Sequence, residues 1–136
     1  MSVNRDYEEL DIGFAQKVLA VVNQANRESR KKDGTPKFSD FVKWSMFEGY
    51  RSQKRQDALY AQGRTVPGAK VTWVKESPHT ARRAADVVWT DSAGNWRWDG
   101  PDDLWAILGH CARANGLRWG GDWKARDLPH IEAKPK

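Results

Sequence analysis

The chain has 136 residues, of which 39% are hydrophobic and 30% are charged, so it fits one globular domain that buries its own core without disulfides. Its formal net charge of +5 favours polyanionic partners, among them nucleic acid, anionic lipid and the acidic bacterial envelope. A single cysteine, Cys111, excludes an intramolecular disulfide and a cysteine-rich metal site.

The N-terminal part is predicted to contain one amphipathic helix. Residues 1–10 lack the basic start and apolar run of a secretory signal, and no stretch of the chain reaches the length of a membrane span. We therefore expect synthesis in the cytoplasm and no stable membrane insertion. Asp11 is the predicted N-cap, and the charged run 27–33 ends the helix. Its apolar residues recur at helical spacing: Phe14, Val18, Leu19, Val22 and Ala25.

The central part is predicted to hold two strands and a short helix. Aromatic and β-forming residues indicate a strand over residues 42–48. Ser52 is placed to cap a helix that runs to Ala61. Residues 70–80 have the character of a loop, and the apolar run 84–89 predicts a second, buried strand.

The C-terminal part is predicted to contain a helix between two turn-rich or short extended segments. Residues 91–100 are rich in turn formers, Pro101 suits the first position of a helix, and Gly116 ends it. The apolar stripe of this helix is Leu104, Ile107, Leu108 and Cys111. Short strands follow at residues 117–119 and around residues 130–131. This order of elements predicts the α+β class, as a single domain with a small antiparallel sheet flanked by helices.

Two of the three histidines stand near acidic residues in a pattern that suits a metal. His79 closes a predicted loop, and Asp86 lies seven residues later in a buried strand. His130 follows Asp127 by three residues. A catalytic zinc takes three nitrogen or oxygen ligands and leaves a fourth position open to water. Hydrolysis also needs a base that takes the proton from the water.

The same residues fit a structural interpretation as well. Each histidine can be a hydrogen-bonded polar group, and each aspartate can be a cap or a turn residue. Asp86 is the most suggestive of them, because a carboxylate inside an apolar strand is costly unless a cation or hydrogen bonds compensate it. We interpret His110, on the predicted helix beside Cys111, as structural.

Three stretches of the chain resemble, in order, the motifs of the VanY-like D-alanyl-D-alanine carboxypeptidase and L-alanyl-D-glutamate endopeptidase family of zinc peptidases. The family's entry motif is similar to EGYRSQKRQDALYAQGRT, residues 48–65. Its Ser-x-His, six-residue, Asp metal motif is similar to SPHTARRAADVVW, residues 77–89. Its closing motif, a Trp-Gly-Gly turn before Asp-x-x-His, is similar to GLRWGGDWKARDLPHIE, residues 116–132.

The resemblance covers about residues 38–132 and implies a fold and a role for each matching residue. The fold would be hedgehog/D,D-peptidase-like, with residues 1–37 as an N-terminal helix and loop. Asp127 would be the general base and acid, and Arg51 would stabilise the oxyanion with its fixed charge. Ser77 would contact the substrate or steady the metal loop. The implied zinc ligands are His79, Asp86 and His130. Trp119 would line the pocket or pack beneath the site.

The chain departs from the family pattern beside the metal motif. Arg82 stands where the family usually has a glycine, and Arg83 stands where an apolar residue is usual. Two arginines there would alter the loop geometry or bind an acidic stem peptide. For Arg55 and Gln56, the sequence leaves substrate contact and a structural role equally open.

The resemblance implies a zinc-dependent peptidoglycan hydrolase that cleaves stem-peptide amide bonds. The nearest members are phage endolysins that cut between L-alanine and D-glutamate. Such an enzyme would work as a monomer on the cell wall, in the periplasm, after release by a partner holin.

Two other functions stay open at this point. A D,D-carboxypeptidase that trims terminal D-alanine would use the same metal site. The second alternative is not an enzyme but a basic nucleic-acid-binding protein. The net positive charge and the eight tryptophans are compatible with it. The sequence carries no recognised nucleic-acid motif, so we expect no such partner.

Overall fold

The computed structural model describes residues 3–38, 41–72 and 77–135. Residues 73–76 of the predicted loop lie outside the described residues. The helices are α1 (Ile12–Glu28), α2 (Gln53–Ala61) and α3 (Asp102–Ala114), with short 3-10 turns at Tyr7–Glu9 and Gly120–Asp122. The strands are β1 (Lys43–Glu48), β2 (Ala84–Thr90), β3 (Trp96–Arg97), β4 (Leu117–Trp119) and β5 (His130–Ala133).

The predicted helix starts are set by side-chain caps. The Asp11 carboxylate accepts a hydrogen bond from the Phe14 backbone N–H, and the Ser52 hydroxyl accepts one from the Arg55 N–H, so both predicted caps are confirmed. The start predicted for α3 is wrong by one residue. Pro101 has extended backbone angles and is the N-cap, and the helix begins at Asp102.

The buried face of α1 differs from the prediction. Leu19 is 43% exposed and Val22 is only half-buried, whereas Val21 is fully buried. Each residue advances about 100° around a helix, so the face set by Phe14 and Val18 returns at position 21 rather than at 19 or 22. The spacing of apolar residues alone therefore placed the buried face of α1 about one residue away from its position in the structure.

The strands form one antiparallel sheet with the order β1-β2-β5-β4, and β3 pairs with the end of β2. Helices α1 and α3 pack against it. This arrangement confirms the predicted α+β class with a small antiparallel sheet flanked by helices.

The two sides of the sheet differ in chemistry, because successive residues of a strand point to opposite faces. The side that packs against α1 and α3 is called the core face; it carries Trp44, Met46, Ala85, Val87, Trp89, Leu117, Trp119 and Ile131. The other side is called the site face; it carries Glu48, Asp86, Arg118, His130 and Glu132.

A β-bulge in β1 places one of the acidic residues on the site face. The register shifts between Met46 and Glu48, so Phe47 has no residue opposite it on β2 and Glu48 lies opposite Asp86. Bulges of this kind re-aim side chains next to functional sites. Without the bulge, the alternation of β1 would keep Glu48 on the core face with Trp44 and Met46.

The core face is closed by aromatic and aliphatic packing. Trp44 of β1 and Trp105 of α3 meet edge to face with ring centroids 5.3 Å apart. Cys111 is buried as predicted, and burial together with the neighbouring Glu28 carboxylate raises the pKa of its thiol to about 12. Within the ranges that the structure describes, no helix combines the length and apolar character needed to cross a membrane.

Candidate metal centre

A tight turn before β2 fixes His79. The Ser77 hydroxyl accepts a hydrogen bond from the His79 N–H at 3.1 Å, and the Ser77 carbonyl accepts one from the Thr80 N–H at 3.0 Å. The His79 carbonyl in turn accepts from the Arg51 N–H at 3.1 Å. Ser77 therefore holds the loop in shape, which is one of the two roles that the sequence left open for it.

Strand pairing brings the other two candidate ligands together. Asp86 of β2 and His130 of β5 are direct cross-strand partners on the site face. The Asp86 Oδ1 atom lies 3.6 Å from His79 Nε2 and 3.6 Å from His130 Nδ1. One ligand atom from each of the three residues lies within 4.8 Å of the others.

Hydrogen bonds on the far side of each ring aim a nitrogen lone pair at this centre. His79 Nδ1 lies 2.8 Å from the Gly49 carbonyl oxygen, and His130 Nε2 lies 2.8 Å from Glu132 Oε1. Both partners are acceptors, so each of these nitrogens carries a proton, and a neutral ring keeps its lone pair on the nitrogen that faces Asp86. The nitrogens that face Asp86 are then free to bind a cation.

The donor set fits zinc. Two imidazole nitrogens and one carboxylate are the ligands of a catalytic zinc, and bonds of about 2.0–2.2 Å in a tetrahedron put ligand atoms roughly 3.3–3.6 Å apart. The two 3.6 Å separations agree with this spacing. A carboxylate or carbonyl partner on each histidine is also the usual support of a metal ligand.

The charges around the ligands favour a cation. Burial opposes ionisation of Asp86, but His79 and His130 outweigh it and hold the pKa of Asp86 far below its usual value. Burial likewise lowers the pKa of His130, but its bonds to Asp86 and Glu132 raise it to about 9. The site therefore stabilises positive charge between these side chains.

Asp127 lies over the edge of the same centre. Its Oδ2 atom is 3.9 Å from His130 Nδ1, and its side chain is 49% exposed. Loss of water and the negative charge of Asp86 raise the pKa of Asp127. Its backbone N–H donates to the Gly120 carbonyl at 2.9 Å. A Cβ atom at Gly120 would stand 2.3 Å from the Asp127 carbonyl oxygen, so this close approach requires glycine.

Arg51 is buried beside the ligands in an ionic network. Its guanidinium donates to Glu48 Oε1 and to Gln56 Oε1, each at 2.8 Å, and lies 3.8 Å from Asp86 Oδ2. Glu48 also binds Arg55. Burial opposes ionisation of Glu48, but these arginines lower its pKa. Gln56 is fully buried and contacts Arg51, which favours the structural role that the sequence left open.

Trp119 packs beneath the centre. Its indole N–H donates to the Leu128 carbonyl at 2.7 Å, and only 7% of the residue is exposed. Cβ atoms at Gly109 and Gly121 would stand 2.3 Å and 2.2 Å from its ring. The Trp-Gly-Gly turn thus has a physical reason, because these glycines leave room for the tryptophan that supports the loop to Asp127.

Several residues of the site were missed by the sequence reasoning. Glu132 binds His130, Glu48 binds Arg51, and the Trp123 ring centroid lies 4.9 Å from that of His130. Glu132 stands two residues after His130 in a predicted strand, and this spacing was an available signal. The sequence does not indicate the contact of Glu48 with Arg51, since the position of Glu48 depends on the bulge.

Arg82 and Arg83 point away from the ligands. Arg82 has a φ of 63°, in the left-handed region. The glycine usual at this position in the family adopts such a conformation without steric strain. It pairs with Glu9 and stacks 4.0 Å over the Tyr50 ring. Arg83 donates to the Lys134 carbonyl. His110 is an exposed residue near Glu28, and the metal centre does not include it.

Known proteins resemble this chain in both sequence and structure. Residues 71–133 match a family model described as D-alanyl-D-alanine carboxypeptidase. The peptidoglycan L-alanyl-D-glutamate endopeptidase CwlK of Bacillus subtilis (strain 168) is 40% identical over 99 residues, which are 65% of this chain and 59% of that protein. The chain thus spans about three fifths of the length of this relative.

A solved structure extends the likeness to nearly the whole chain. The L-Ala D-Glu endopeptidase ChiX of Serratia marcescens aligns with a TM-score of 0.62 and 26% sequence identity, covering 94% of this chain and 83% of that one. Taken together, the family match and the two likenesses support the resemblance of the chain to the VanY-like family of D-alanyl-D-alanine carboxypeptidases and L-alanyl-D-glutamate endopeptidases.

Proposed function

We propose that this protein is a zinc-dependent peptidoglycan endopeptidase that hydrolyses the bond between L-alanine and D-glutamate in the stem peptide. The observation that carries the proposal is the convergence of two imidazole nitrogens and one carboxylate, with an acid–base group beside them. The names of CwlK and ChiX support the choice of bond.

The metal would be held by His79, Asp86 and His130. Zinc bound there would lower the pKa of a water molecule and polarise the scissile carbonyl. The Gly49 carbonyl and the Glu132 carboxylate keep the two rings oriented for this task.

Asp127 would move the proton. Its half-exposed carboxylate reaches the edge of the centre, and its raised pKa brings it closer to the value that suits a proton carrier. Asp127 Oδ2 accepts the proton of the attacking water and then delivers it to the nitrogen of the leaving amine. Asp127 would thereby act first as the general base and then as the general acid.

Arg51 would stabilise the charge that develops on the carbonyl oxygen. Its guanidinium is fixed by Glu48 and Gln56, and its Nε atom is buried without a hydrogen-bond partner among the described residues. A rigid cation close to Asp86 needs little rearrangement when the oxyanion forms. Ser77 steadies the metal loop, and Trp119 supports the pocket from beneath.

We infer a lytic role of the phage endolysin type for this activity. The net charge of +5 would attract the protein to the acidic envelope. A partner holin would give it access to the wall, where it would act as a monomer.

Digestion of purified peptidoglycan by the zinc-loaded protein tests the proposal. We expect new L-alanine and D-glutamate termini by mass spectrometry from the native protein and none from His130→Ala. Release of free D-alanine would instead assign the D,D-carboxypeptidase activity that the matched family model names. An intact wall with confirmed zinc in the protein would reject both activities.

A further inference from the structure

A groove of about 390 Å³ opens beside the metal centre along β4. Two tryptophans, Trp119 and Trp123, contribute to its wall. Its charged residues are Arg113, Arg118, Lys134 and Asp122. Three cations therefore face one anion in a cleft large enough for a peptide residue.

The positive charge of the groove is only partly compensated. Arg113 pairs with Asp122 at 3.0 Å, and Arg118 lies 3.7 Å from Glu132. Lys134 is exposed, and its ammonium group has no ion pair among the residues described here. The groove thus keeps a surplus of positive charge that a bound carboxylate would neutralise.

The groove adjoins the candidate metal centre through Trp123 and Arg118. The Trp123 ring lies 4.9 Å from His130, a proposed metal ligand. Arg118 shares the Glu132 carboxylate with His130. A peptide whose scissile bond lies at the metal would therefore place its next residue at the mouth of the groove.

We propose that this groove binds the carboxylate-bearing residues of the stem peptide that follow the scissile bond, beginning with D-glutamate. The inference rests on the proposed function. D-glutamate leaves on the amine side of the cleaved bond and carries a free carboxylate, which is opposite in sign to the surplus charge of the groove. The tryptophans would pack against the aliphatic part of the same residues.

Lys134 is the residue best suited to a test. Arg118 also contacts the partner of a metal ligand, and Arg113 is tied to Asp122. Lys134 carries its charge on an exposed side chain just after β5. Lys43 is a matched control, because it is an exposed lysine on β1 at the opposite edge of the sheet.

Calorimetry with product fragments measures the groove without hydrolysis. The ligands are a synthetic stem-peptide fragment that begins at D-glutamate and the same fragment with that free carboxylate amidated. We expect the zinc-loaded native protein to bind the acid form about 10-fold more tightly than the amide, as for one charge-assisted contact. Lys134→Gln should reduce this ratio and Lys134→Glu should abolish it, while Lys43→Glu should leave it unchanged.

The outcomes separate this inference from the proposed activity. Equal affinity for the acid and amide fragments, or the same loss in Lys134→Glu and Lys43→Glu, would overturn the groove assignment even if the protein cleaves peptidoglycan. A charge preference that depends on Lys134 would support the groove even if purified peptidoglycan stays intact. In that case the endopeptidase proposal would fail alone.

Discussion

The two faces of the sheet use the same strands for different purposes. On the core face, apolar side chains pack against α1 and α3, and their positions follow from hydrophobic burial. On the site face, the charged side chains are held by hydrogen bonds to specific partners. The contrast teaches that stability and chemistry are assigned to alternate residues of one strand, so each can be changed with limited effect on the other.

The largest expected effect comes from a proposed metal ligand on the site face. Asp86→Asn removes the carboxylate between the two histidines and with it several kcal/mol of metal-dependent stabilisation, or roughly 10³-fold or more in rate. Zinc content by atomic spectroscopy and the rate of peptidoglycan hydrolysis would both fall. If the variant retains stoichiometric zinc and the native rate, Asp86 is not a metal ligand.

Substitution of the proposed base should separate chemistry from metal binding. Asp127→Asn is expected to lower the hydrolysis rate by about 10²–10⁴-fold, the usual contribution of acid–base catalysis, while zinc content stays near native. Asp103→Asn, an exposed position in the first turn of α3, is the control and should keep its rate. Loss of zinc in Asp127→Asn would show that Asp127 serves the metal instead.

A change on the core side should affect stability alone. Leu108 of α3 is fully buried, so Leu108→Ala should lower the free energy of unfolding by about 2–5 kcal/mol. Leu19, an exposed leucine of α1, is the matched control. Leu19→Ala should change the free energy of unfolding by less than about 0.5 kcal/mol. Urea denaturation measures both. A reduced rate in fully folded Leu108→Ala would break the separation of the two faces.

The partner of His130 should have a smaller effect than the ligands. Glu132→Gln keeps the shape of the side chain but weakens its support of the imidazole, and we expect zinc affinity to fall about 10–100-fold. Competition with a chelator measures this affinity. An unchanged affinity would mean that strand pairing alone orients His130.

The smallest effect is expected at Arg82. Glycine there relieves a left-handed backbone but loses the pair with Glu9 and the stacking on Tyr50. The backbone strain costs about 1–2 kcal/mol and each contact contributes about 1 kcal/mol or less, so these effects oppose one another. Arg82→Gly should therefore change the free energy of unfolding by less than about 1 kcal/mol. Arg82→Ala keeps the strain without the contacts and should be the less stable of the two.

Local signals predicted most of the elements. The caps at Asp11 and Ser52 are side chains that bond to nearby backbone, so a few residues of sequence suffice to find them. The apolar run of β2 likewise shows a buried strand. The grouping of the candidate metal ligands was predicted through the family motifs, and their spacing alone left a structural interpretation open.

Features that depend on register were not predictable from one sequence. Glu48 reaches Arg51 because of a bulge, and Lys134 lines the same groove as Arg118 because β4 and β5 pair. Val21 was missed because the periodicity of α1 admits two adjacent faces. In each case the deciding contact joins segments that are distant in the chain or depends on a shift of a single residue.

Gly120 limits how this protein can be altered. The segment that carries Asp127 and His130 lies against it so closely that any side chain would displace both. A library aimed at a new bond preference should therefore leave position 120 fixed and vary the far end of the groove. We expect most substitutions at that position to lower zinc content and hydrolysis together.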